Sequence, residues 1–181
     1  MKRYALHLLA LLAFATTPSV FHAQPSSMPQ RNEIVAINPD DIDSRLEVFS
    51  TVVDNERAYY LSVGHLGIGN QTVQFNIDPI FELFIPLGAN LEETIATLQT
   101  IQSLYKEPAK ATMTTDGCLN FAFPNQDLET VTLTHFKSAL SNFLQVSVQR
   151  EDYIRATTIS KSDFNMLLRG VKMYRSIHPK E

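Results

Sequence analysis

RAYYLSVGHLGIGNQTVQFNIDPIFELFIPLGANLEETIATLQTIQSLYK, residues 57–106, holds the pattern from which the fold is read: strand-like alternation twice, an apolar run, then a helix. The helix carries the strongest signal. Asn90 is placed to cap the free N–H groups of the first turn, and Glu93, three residues on, is placed to reach back in a capping box. Glu92 and Glu93 suit the positive end of the helix dipole. Leu91, Ile95, Leu98, Ile101 and Tyr105 recur at helical spacing on one stripe that Leu104 widens. Glu107-Pro108 stops the helix, because the residue before a proline avoids the α region.

Upstream of the helix, Tyr59, Leu61 and Val63 alternate with smaller or polar residues, and Val73, Phe75 and Ile77 do so after the turn Gly67-Ile68-Gly69-Asn70. This predicts a hairpin with one buried face. Ile80-Phe81-Glu82-Leu83-Phe84-Ile85 is apolar on both faces apart from Glu82, as in a central strand that delivers the helix onto the sheet. Buried there, Glu82 would need a partner. Further upstream, Leu46, Val48 and Val52-Val53 predict a first strand, at an edge, ending at an Asp54-Asn55 turn.

Downstream, Asp116-Gly117 signals a two-residue type I′ hairpin that would pair Thr115 with Cys118 and Met113 with Asn120, and gather Leu119, Phe121 and Phe123 on the opposite face. Val131, Leu133 and His135 alternate in another strand, Leu144, Val146 and Val148 in a third, and a last strand follows from Tyr153 to Ile159. Ser160 and Asp163 then offer a capping box into a second helix with a buried stripe of Phe164, Leu167, Leu168, Val171, Tyr174 and Ile177, ending at Pro179.

The expected fold is therefore α+β: an antiparallel β-sheet meander with two amphipathic helices packed on it. Its two halves are similar, several strands closed by a helix, and aligning the helices sets Leu91 against Phe164, Ile95 against Leu168 and Leu98 against Val171. A repeat of that kind resembles, in element order alone, modules of the whirly or PUR type and the saddle-like TATA-box-binding fold. With no shared motif, the resemblance carries no function.

Lys2-Arg3 precede an apolar run from Tyr4 to Phe14 that is too short to span a bilayer, followed by small and helix-breaking residues. Residues 1–23 accordingly read as a signal peptide cut near Ala23-Gln24, residues 24–44 as a flexible leader containing Pro25, Pro29 and Pro39, and residues 45–181 as a single domain. Such a chain is exported, to the periplasm or the medium, with no transmembrane segment after cleavage. The one cysteine, Cys118, excludes an internal disulfide framework and, lying far from the apolar run, a lipid anchor. The formal charge of −4 argues against a nucleic-acid partner. Basic residues nevertheless gather at the end of the chain, where Arg169, Lys172 and Arg175 form either a solvated helix face or a docking face for an acidic partner or anionic lipid.

Catalytic signatures are sparse. Gly64, Gly67 and Gly69 lead into a strand rather than the helix that a phosphate loop requires. No Gly-x-Ser-x-Gly elbow, zinc spacing or calcium loop occurs, so no metal or cofactor is expected. Cys118 is the one available thiol nucleophile, with His135 or His65 as its candidate base, but no glycine-rich nucleophile turn accompanies it. The function expected is that of an exported, non-catalytic α+β module binding another envelope or secreted protein through Arg169, Lys172 and Arg175. The alternatives are an exported cysteine-dependent hydrolase and a small apolar-ligand carrier.

Overall fold

The structure, a computed structural model, describes residues 30–41, 44–53, 55–64, 67–68, 82–119, 128–150 and 153–179. Among the described residues nine strands occur in chain order: β1 (Asn32–Ile37), β2 (Leu46–Val53), β3 (Glu56–Val63), β4 (Gly67–Ile68), β5 (Leu83–Gly88), β6 (Thr112–Leu119), β7 (Glu129–Lys137), β8 (Asn142–Arg150) and β9 (Tyr153–Ser160). Helix α1 (Leu91–Ser103) follows β5 and tightens into a 3-10 turn at Leu104–Lys106, and α2 (Lys161–Ile177) follows β9. The strands form one sheet in the order β1-β2-β3-β5-β6-β7-β8-β9-β4, with every pair antiparallel. The architecture is α+β, an antiparallel sheet with two helices.

Both helix starts follow from their sequences. Asn90 Oδ1 accepts from the Glu93 N–H at 2.9 Å, and Glu93 Oε2 accepts from the Ala89 N–H at 2.8 Å, one residue before the cap. Ser160 Oγ accepts from the Asp163 N–H at 3.1 Å while donating to the Asp163 carboxylate at 2.7 Å. The extended Glu107, with ψ of 163°, ends the first helical segment ahead of Pro108.

Several expectations are corrected. Within residues 24–44, Asn32–Ile37 forms β1 instead of a flexible leader, so β2 lies inside the sheet and not at its edge. Polar composition hid this strand, which presents only the short apolar run Ile34-Val35-Ala36-Ile37. Strand β3 is flanked by two other strands: a tight turn with Asn55 at φ 68° folds it against β2, and β5 takes its other side. Val73, Phe75, Ile77, Ile80, Phe81, Asn120, Phe121 and Phe123 lie outside the described residues, as do the signal segment and its cleavage site.

The Asp116-Gly117 turn is also absent. Strand β6 runs straight through, with Asp116 opposite Thr130 and Gly117 opposite Glu129, before Cys118 and Leu119 pair with Phe84 and Leu83 of β5. The glycine is needed here for close approach. A Cβ on Gly117 would lie 2.5 Å from Val131 Cγ2 and 3.1 Å from both the Phe84 carbonyl oxygen and Leu83 Cδ1.

Alternate strand residues build one large core: Leu46 and Val48, Tyr59, Leu61 and Val63, Leu83, Ile85 and Leu87, Val131 and Leu133, Leu144, Val146 and Val148. Leu91, Leu98 and Ile101 of α1, with Phe164, Leu167, Leu168 and Val171 of α2, belong to the same cluster. Completely burying a side chain the size of Phe164 contributes about 1.5–3 kcal/mol. Gly170 lets α2 lie close to β1, since a Cβ there would come 2.6 Å from Val35 Cγ2. The helices run antiparallel: Arg175 pairs with Glu92, and Gln102 Nε2 donates to Asn165 Oδ1 at 2.7 Å.

Gly117→Ala is expected to cost about 1–3 kcal/mol in urea unfolding, the cost of overpacking a closed site. Adding Val131→Ala should recover part of that loss, giving a positive coupling in a double-mutant cycle. Simple additivity would mean that the Val131 contact does not set the requirement for glycine.

Candidate functional site

The two described residues of the cysteine–histidine reading are far apart. The His135 N–H donates to the Ala111 carbonyl at 2.8 Å, and Cys118 stands seven residues along the extended chain from Ala111, about 23 Å at strand rise. They also serve different clusters. Cys118 is buried with Phe49, Tyr60 and Phe84, whereas His135 lies against Tyr105 of the main core, ring centroids 6.2 Å apart. His135 Nδ1–H donates to the Glu107 carbonyl at 2.9 Å, and Nε2 meets the Asn142 side-chain amide at 3.0 Å. Both ring nitrogens are thus held by neighbours, and the imidazole ties the loop after α1 to β7 and β8. Burial pushes the Cys118 thiol up to about 11, the opposite of an activated nucleophile. His65 lies outside the described residues.

The sheet face carrying Cys118 has a polar cover that the sequence reading only half anticipated. Glu82 has the partner its position called for. Arg31 donates to both carboxylate oxygens at 3.1 and 3.0 Å, and the Ser62 hydroxyl donates to Oε1. The same guanidinium lies 5.0 Å from the Phe49 ring centroid and 4.8 Å from that of Phe84, so it closes this aromatic cluster as well as neutralising Glu82. Phe49 stacks on Tyr60 and meets Phe84 edge-on. Beside it, Glu47 is buried against Arg45 at 2.7 Å, and burial holds its carboxyl above the usual range despite the Arg45 and Arg31 charges. These are structural pairings: the charged groups face one another.

The predicted basic residues are spread over about 120° of α2. Arg169, Lys172 and Arg175 are all exposed, but Arg175 forms an ion pair with Glu92, which leaves Arg169 and Lys172 as its outward cations. Ile177, expected in the buried stripe, is 67% exposed. Val171 is the last buried residue of the helix, and half-buried Tyr174 is its last contact with the core. Met166 and Met173 are likewise exposed, at 49% and 61%. At 100° per residue these three fall within a sector of about 40°, between Arg169 and Gly170, the latter lying against Val35 of β1. The Met166 and Met173 spacing carries this line in the sequence, beside the stronger apolar pattern of Phe164, Leu167, Leu168 and Val171.

Two open clefts flank Arg57: one of about 350 Å³ lined by Gln30, Asn32, Ser50, Thr51 and Val52, and one of about 320 Å³ lined by Glu56, Ala58, Tyr59, Tyr60, Pro86 and Gly88. Neither supplies an enclosed apolar cavity for a carrier. No group of three or more His, Cys, Asp or Glu residues able to hold a metal occurs among the described residues, and no helix there is long and apolar enough to cross a membrane. No family model matches the chain, and neither a curated protein nor a solved structure does.

Burial of Cys118 makes stability sensitive to alkali. Below the ordinary thiol value of 9.0 the group is protonated both folded and unfolded, and its contribution is complete. Between there and about 11 only the unfolded chain releases the proton readily, so stability should fall by up to about 1.4 kcal/mol per pH unit. Tyr60, pushed up to about 12 chiefly by burial and secondarily by the Cys118 charge, extends the loss upward. Urea midpoints between pH 8 and 10.5 test this: Cys118→Ala should flatten the slope between pH 9 and 10. A slope identical to that of the parent would assign the alkaline sensitivity to other groups.

Proposed function

We propose that the chain is an exported, non-catalytic binding module that engages its partner through the solvent face of α2. The observation behind this reading is the exposure of Met166, Met173 and Ile177 on α2 with Arg169 beside them, flanking the point where Gly170 rests against β1. The stripe of Phe164, Leu167, Leu168 and Val171 already anchors the helix to the core, and the side chains of Met166, Met173 and Ile177 remain exposed beyond it. In this reading the two strand-rich halves, each closed by a helix packed on the sheet, are the rigid scaffold that presents that face. The separation of Cys118 from His135 removes the geometry on which a hydrolase using that pair would rest.

Exported location and an acidic partner follow from the sequence pattern, not from any structural relative. A photo-crosslinking side chain at position 173, in the protein expressed in its own host, tests the surface. Adducts should form there and be absent from a probe at Thr114, an exposed residue on β6. Arg169→Glu with Lys172→Glu should lower adduct yield about tenfold or more while leaving thermal unfolding unchanged. Arg175→Glu should act more weakly on capture, because that charge is already matched to Glu92. Equal yields from positions 173 and 114, or yields untouched by the double reversal, would move the search away from α2.

A further inference from the structure

We infer that the partner of the α2 face is an extended segment of another protein, apolar at alternate positions and acidic beside them, that adds to the outer edge of β1; this rests on the binding reading above and names how that surface is used. Strand β1 ends the sheet order and, among the described residues, pairs only with β2. The sheet curls round α2, so that β1, β2, β8 and β9 all touch the helix. Gly170 marks where β1 arrives, since a Cβ there would come 2.6 Å from Val35 Cγ2. At 100° per residue, Ile177, Met166 and Met173 follow about 20–60° further round the helix, away from the core stripe. A strand added outside β1 would lie about 4.8 Å beyond it and, continuing the curl, would run against these three side chains. They are the large apolar residues that α2 leaves exposed, and all of them fall in the sector that a next strand would cover.

The edge itself says what kind of strand fits. The register slip between Glu33 and Val35 leaves Val35–Ile37 as its regular part, so the added segment pairs over a short length. A second copy of this chain would bring the same interrupted edge, whereas a segment that is unpaired before it binds carries no such slip. Backbone hydrogen bonds to so few residues leave much of the affinity to side chains, which α2 receives. From Met166 to Ile177 the exposed line covers about 16 Å at helical rise. Same-face side chains of a strand recur at about 6.6 Å, so two or three of them reach the line. Methionine adapts to apolar partners of different shape, which suits alternate positions filled by any of several aliphatic residues.

Charge supplies the acidic element. Over Val35-Ala36-Ile37 the edge is uncharged, so the ionic selection has to come from the helix. Arg169 stands one turn from both Met166 and Met173, is exposed, and makes no ion pair among the described residues. Arg175, by contrast, is already matched to Glu92. A carboxylate on the added segment, next to its apolar side chains, meets the Arg169 guanidinium and fixes the position of the segment along the helix.

The probe is a phage-displayed library of random short peptides, selected on the immobilised protein. Selected sequences should carry apolar residues at every second position with Asp or Glu beside them. The strongest, made synthetically, should slow amide hydrogen exchange at Val35–Ile37. Methylating its alternate backbone nitrogens should abolish binding in one of the two possible sets and be tolerated in the other, because only one set faces β1. Met173→Asp should weaken binding about tenfold or more, and Arg169→Glu should do so for the acidic peptides alone, with circular dichroism unchanged. Apolar residues at helical spacing, unaltered exchange at Val35–Ile37, binding that survives Met173→Asp, or no selected peptide at all overturns the strand assignment. If it is overturned while the cross-linker at 173 still captures a protein in a charge-dependent way, the α2 surface stands and its partner has another shape. If both fail, the surface itself is wrong.

Discussion

The continuity of the sheet depends on a missing methyl group. Strand β6 runs beside β7 over residues 112–117 and then passes to β5, where, among the described residues, Cys118 pairs with Phe84 and Leu119 with Leu83. At the hand-over the Val131 side chain and the Phe84 carbonyl close in on Gly117, and no side chain fits between them. Within the sheet, β1, β2, β3 and β5 are joined to β7, β8 and β9 through this seam in β6, while β4 pairs with β9 at the far side. The core spans the seam because Leu83 and Val131, which face each other around Gly117, belong to the same cluster as both helices.

The helices depend on that arrangement and contribute to it electrostatically. Running antiparallel, they bring Glu92 in the first turn of α1 beside Arg175 in the last turn of α2, so one ion pair complements a positive helix end and a negative one together. Both side chains are substantially exposed, so the pair is worth at most about 1 kcal/mol. Its larger effect is on the surface: it withdraws one of three basic residues from the solvent face of α2 and leaves Arg169 and Lys172 to define its charge.

What could be read from the chain divides along the range of the interactions concerned. Helix caps, the buried stripes and the alternation in β7 and β8 are set within a few residues, and Asn90, Ser160, Leu98, Phe164, Val131 and Val146 occupy the places their spacing dictates. Strand pairing is decided by distant segments. Asp116-Gly117 has the composition of a turn but the role of a crossing point, a distinction that only Phe84 and Val131 reveal. Likewise, residues 24–44 look like linker until β2 is seen to need a neighbour, and Glu82 looks isolated until Arg31 is brought to it. Cys118 and His135 were linked by residue type alone, and the sheet puts one among aromatic rings and the other against Tyr105 and the loop after α1. The exposed line on α2 was present in the spacing, though nothing local distinguished it from chance apolar residues.

The irregular pairing at β1 has a bearing on how such a molecule behaves in a crowd. Between Glu33 and Val35 the register against β2 slips, so the outermost strand bends where an unbroken row of backbone donors and acceptors would otherwise face outward. A strand arriving from a neighbouring molecule meets an interrupted template, matched for only the three residues Val35 to Ile37 on one side of the slip. The rim therefore discourages end-to-end growth of sheets into fibres, a safeguard that costs the fold a single residue of regular pairing.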